Sequence, residues 1–120
     1  GPVPAAFAST GEPYSPARLA ELRAEGRPVF VNATAAWCIT CKVNERVVFE
    51  TPAFRGLLAE RGVAMLTADW TRRDPDVTAL IERFGRAGVP LYLYFPADGD
   101  PIVMPQILTL STLERTFGGA

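Results

Sequence analysis

Three times along the chain a side-chain oxygen precedes a proline and then a run of apolar positions at helical spacing. Ser15-Pro16 leads into Leu19 and Leu22, with Gly26 as the stop. Thr51-Pro52 leads into Phe54, Leu57 and Leu58, with Gly62 as the stop. Asp74-Pro75 leads into Val77, Leu80, Ile81 and Phe84, an i, i+3, i+4, i+7 stripe. An oxygen-bearing N-cap followed by proline at N1 suits a helix start, because proline lacks only an N–H that would be unpaired there anyway. Between these helices lie short apolar runs that predict strands: "PVFVNA" (28–33), "VAMLTAD" (63–69) and "PLYLYF" (90–95). Asp98-Gly99 reads as a hairpin turn toward "PIVM" (101–104), an antiparallel partner. Residues after Cys38 to about Phe49 read as helical, and Ser111 as the cap of a last helix ending at Gly118.

The predicted order is α, then β-α-(α)-β-α-β-β-α. Strands separated by helices imply parallel crossovers, and the closing hairpin adds an antiparallel edge. The fold class is therefore α/β, a mixed central sheet with helices on both faces, which is the thioredoxin architecture. Residues 1–14 read as an N-terminal extension or linker and 15–120 as the thioredoxin-like domain.

Composition narrows the function. At 120 residues the chain is one domain with a single core. Twelve basic residues against thirteen acidic ones, with no basic block, argue against nucleic acid as a partner. No apolar run approaches the roughly 18 residues needed to span a bilayer. No secretory signal is evident, so the sequence reads as a mature protein or as one domain of a longer one. The most useful fact is an absence: there is no histidine. That removes Cys-His and Ser-His nucleophilic arrangements and every His-containing metal site. A thiolate-only metal site wants about four cysteines, and this chain has two. No metal site within this chain is expected.

Those two, Cys38 and Cys41, lie in "AAWCITCKVNE" (35–45), after a predicted strand and opening a predicted helix. Unpaired N–H groups at a helix start carry partial positive charge and stabilise a thiolate. Cys38 is thus the expected nucleophile and Cys41, one turn later and more buried, the resolving thiol. A purely structural staple is the bland alternative, but a loop this short restricts the unfolded chain little. At 100° per residue, Glu45 falls on the same side of the helix as both cysteines. It is placed either to accept or relay the Cys41 proton, or to sit solvated beside Lys42 or Arg46. Trp37, adjacent to Cys38, is either a shield and contact surface for the thiol or ordinary packing. Tyr92 and Tyr94 read as strand packing. Pro90 starts a strand; in a thioredoxin-like fold that position is a cis proline facing the cysteines, leaving the Val89 backbone free to pair with a partner's chain.

"VFVNATAAWCITCKVNE", "TADWT", "RFGRAGVPLYLYF" and "PQILT" together resemble the C-terminal periplasmic thioredoxin-like domain of the thiol:disulfide interchange protein DsbD family, including its ScsB-like relatives. The resemblance runs from about residue 16 to 117. It implies an electron relay by dithiol-disulfide exchange, on the periplasmic side of the inner membrane, with no metal or organic cofactor. The transmembrane domain of the same protein would be the electron donor, and its N-terminal periplasmic domain or another periplasmic thiol protein the acceptor. The isolated domain is expected to be monomeric. By resemblance Cys38 attacks, Cys41 resolves, Pro90 is the cis proline, and Glu45 matches an acidic residue near the active site. One position departs from the pattern. Six residues before the first cysteine, where a buried aspartate is usual, stands Asn32. An amide takes up no proton, so deprotonation of Cys41 would rest on Glu45 or water. Two other readings remain open on the sequence: a free-standing periplasmic oxidant or isomerase, and a non-enzymatic Cu(I)-binding module on the same fold.

Overall fold

A computed structural model describes residues 11–118. Helices α1 (Pro16–Ala24), α2 (Ile39–Asn44), α3 (Pro52–Arg61), α4 (Pro75–Arg83) and α5 (Leu110–Gly118) flank a five-stranded sheet. Its strands are β1 (Glu12–Pro13), β2 (Val29–Thr34), β3 (Ala64–Asp69), β4 (Leu91–Phe95) and β5 (Ile102–Val103), in the order β1-β3-β2-β4-β5. β1 and β2 both run parallel to β3, while β4 pairs antiparallel with β2 and with β5.

Every residue of β2 is buried, as expected of a central strand covered on both faces. Its alternation divides the core. Val29, Val31 and Ala33 pack with Leu19 and Leu22 of α1 and with Val77, Leu80 and Ile81 of α4. Phe30 looks the other way, into Phe49, Phe54, Leu57, Tyr92, Leu113 and Phe117. The cap-plus-proline starts form as the sequence predicts. Ser15 Oγ accepts the Arg18 amide at 3.0 Å, Thr51 Oγ1 the Phe54 amide at 3.2 Å, and Asp74 Oδ1 the Asp76 amide at 2.9 Å. Gly62 closes α3 in the left-handed conformation, φ 66°, where a side chain would be strained.

Three local expectations differ. The last helix is capped by Thr109, not Ser111: Thr109 Oγ1 accepts the Thr112 amide at 3.1 Å, and its carbonyl accepts the Leu113 amide at 3.3 Å. Ser111, inside the first turn, instead receives Arg115 Nη1 at 3.0 Å. Residues 12–13, assigned by sequence to the lead-in, form the edge strand β1; residues 1–10 of that lead-in lie outside the described residues. The helix after the cysteines is not uniform. Beyond Asn44 it widens over Glu45–Phe49 into a π-type turn, where the Glu50 amide reaches back five residues to the Glu45 carbonyl at 2.8 Å. Such turns are rare and concentrate at functional sites.

Candidate active site

β2 ends at Thr34, and a short turn delivers Cys38 to the N-cap of α2. The Cys38 amide donates to the Ala35 carbonyl at 3.1 Å, and Cys38 Sγ accepts the Cys41 amide at 3.2 Å. The sulfur therefore occupies the place where a serine or aspartate oxygen normally caps a helix. Cys38 and Cys41 are joined as a disulfide, with their Cα atoms 5.2 Å apart. Cys38 is 7% exposed and Cys41 1%, so an incoming group meets Cys38 first.

The turn before Cys38 is braced from β3. Asp69 accepts from both the amide and the hydroxyl of Thr71. Thr71 Oγ1 then accepts the Ala36 amide at 2.9 Å, and its carbonyl accepts Trp37 Nε1 at 3.1 Å. Trp37, half exposed, lies 6.0 Å from Trp70, and the Arg73 guanidinium covers both rings at 5.1 and 4.3 Å. Arg73 adopts a left-handed backbone, φ 56°, uncommon for a residue with a side chain. "TADWT" is thus the buttress of the cysteine turn. Sequence marks this segment only as part of the resemblance; its hydrogen bonds appear in three dimensions alone.

On the opposite side, the Val89-Pro90 bond is cis, and Val89 packs against Ala35, Cys38 and Cys41. Glu45, its side chain 16% exposed, stands 3.8 Å from Lys42 Nζ. Both border a cleft of about 430 Å³, whose walls include Thr34, Thr67, Asp69 and Thr71. Asn32 is 1% exposed, and among the described residues neither its amide nitrogen nor its oxygen has a hydrogen-bond partner; Thr34 Oγ1 and Thr67 Oγ1 are also buried with no partner among them. Asn32 faces Thr67 and Tyr92 in register. Tyr92 is buried too, and desolvation pushes its hydroxyl up to about 12, against the opposing pull of the Asn44 hydrogen bond. Among the described residues no group of three or more His, Cys, Asp or Glu side chains is placed to hold a metal ion, and no helix is long and apolar enough to cross a membrane.

The family model described as "Thioredoxin-like" matches residues 11–97. The chain belongs to the thioredoxin-like family. Within it, the chain is 40% identical to the thiol:disulfide interchange protein DsbD of Ralstonia nicotianae, over 81% of this chain and 17% of that protein. It is 38% identical to DsbD 1 of Pseudomonas aeruginosa, over 70% of this chain and 14% of that protein. The chain thus spans about a sixth of the length of these relatives. Among solved structures, the oxidised C-terminal domain of Neisseria meningitidis DsbD superimposes with a TM-score of 0.71 at 19% identity, covering 90% of this chain and 97% of that one. The DsbH oxidoreductase gives 0.71 at 15% identity, over 98% and 92%. These likenesses carry the thioredoxin-like fold.

Proposed function

We propose that this thioredoxin-like domain is a protein-disulfide reductase module that passes electrons onward by dithiol-disulfide exchange. The observation that carries the reading is the Cys38–Cys41 disulfide capping α2, with the first sulfur the more accessible. In the reduced domain the Cys38 thiolate, held by the helix start, attacks one sulfur of a partner disulfide. A bond forms between Cys38 Sγ and that sulfur, the partner's own S–S bond breaks, and its second sulfur leaves as a thiolate. The Cys41 thiolate then attacks Cys38 Sγ, re-forming the internal disulfide and releasing the partner's first sulfur. Two electrons have moved to the partner, whose thiolates take up the protons. Trp37 and the Val89-Pro90 segment flank Cys38 and form the partner's seat.

Before Cys41 can attack, its thiol must lose a proton. Glu45, the first residue of the wide turn that continues α2, is the carboxylate that helical phasing puts on the cysteine side, and Asn32 offers no acid-base alternative. Glu45→Gln is expected to displace the pH profile of thiol exchange and leave the fold intact. An unchanged profile would return Glu45 to a solvated partner of Lys42.

Electrons reach the domain from a membrane-embedded donor domain of the same protein and leave to a periplasmic thiol protein, the N-terminal periplasmic domain being the first candidate. The direction of flow is tested by equilibration against glutathione buffers. A potential near thioredoxin's, about −270 mV, supports the relay; one near the strong oxidant DsbA's, about −120 mV, would make the domain an oxidant instead.

A further inference from the structure

Asn44 lies three residues after Cys41, where α2 gives way to the wide turn, and it is almost wholly buried. A buried amide on a helix is costly unless its hydrogen bonds are made. Asn44 makes three, all to distant parts of the chain. Its Nδ2 donates to Tyr92 Oη and to the Gln106 carbonyl, both at 2.8 Å, and its Oδ1 accepts the Leu108 amide at 3.2 Å. Gln106 extends the chain of bonds: its side-chain Nε2 donates to the Pro90 carbonyl at 3.3 Å. The cysteine helix and the Val89-Pro90 segment are therefore tied to one loop, through a residue that bonds to both. Gln106 itself is an exposed residue.

We propose that Asn44 and Gln106 are positioning residues that fix the spacing between Cys38 and the Val89-Pro90 segment for extended protein substrates. This rests on the reductase reading above. A polypeptide disulfide must engage Cys38 and lie along Val89 together, so the separation of those two walls enters its rate. A small aromatic disulfide touches only the sulfur and is indifferent to it. Holding the walls in advance removes an ordering cost from the encounter.

The test mixes the pre-reduced domain with excess oxidised insulin or with 5,5′-dithiobis(2-nitrobenzoate) and follows oxidation of the cysteines. Gln106→Ala and the near-isosteric Gln106→Glu, which has no donor for the Pro90 carbonyl, should slow the insulin reaction by roughly 3- to 10-fold, the equivalent of one neutral hydrogen bond. Both should leave the small-disulfide rate within about twofold of wild type, within the few tenths of a kcal/mol usual for a surface change. Asn44→Ala should show a larger insulin-selective loss. It also leaves Tyr92, Gln106 and Leu108 unpaired and can fail to fold, so the Gln106 variants decide. An unchanged insulin rate, or equal losses on both substrates, overturns the proposal while leaving the reductase reading standing. A wild-type domain that reduces neither substrate sinks both.

Discussion

Cys41→Ala leaves the first chemical step intact and removes the second, so the variant accumulates as a Cys38 mixed disulfide with its partner while turnover falls by about three orders of magnitude or more. Cys38→Ala loses turnover equally and traps nothing. The asymmetry follows from the geometry. Cys38 caps α2 with its sulfur against the Cys41 amide and faces the approach side, whereas Cys41 lies beneath it and meets only an already attached Cys38. Without Cys41 no intramolecular thiolate displaces the partner, and external thiols must do so slowly. Non-reducing electrophoresis and intact-mass measurement of the two variants, each mixed with a disulfide substrate, check this. Trapping by Cys38→Ala, or equal trapping by both variants, would reverse or erase the assigned order of attack.

The largest single loss of stability is expected from Phe30→Ala. Phe30 is fully buried on the central strand, and its ring lies 5.8 Å from Phe49, 6.2 Å from Phe54, 6.2 Å from Tyr92 and 5.6 Å from Phe117. These partners come from the wide turn, α3, β4 and α5, so removing the ring opens a cavity where four elements meet. Truncating a buried phenylalanine costs about 3–5 kcal/mol, because lost transfer energy and an unfilled cavity add. In a domain of this size that lowers Tm by roughly 10–20 °C. Urea unfolding at constant m measures it, with Phe30→Leu expected to lose less than half as much, since it keeps most of the volume. A loss below about 1 kcal/mol would mean that the aromatic cluster can close around the gap.

The parts of the fold that sequence revealed are those written in neighbouring residues. Ser15-Pro16, Thr51-Pro52 and Asp74-Pro75 announce helices because cap and proline act within one turn. The cysteine pair is legible because its strand-to-helix setting is local as well. The N-cap of the last helix is not legible because Thr109, Ser111 and Thr112 offer three hydroxyls within four residues, and only the backbone geometry selects Thr109. The features that were missed depend on distant partners. β1 exists because Glu12 and Pro13 pair with Leu66 and Thr67, not through any strand preference of their own. Asn44 looks like an ordinary helix residue until Tyr92, 48 positions away, and Gln106, 62 away, supply its bonds. Sequence marks Asn32 as standing where the resemblance has aspartate, but only three dimensions show that neither of its polar atoms has a partner among the described residues.

The outermost strands of the sheet are each two residues long, Glu12–Pro13 on one side and Ile102–Val103 on the other. Proline occupies the first, and Pro101 and Pro105 bracket the second, so among the described residues neither edge strand is a long run of free amides and carbonyls. An exposed strand of another chain finds only a short, proline-interrupted edge to stack upon there, which guards the domain against edge-to-edge aggregation.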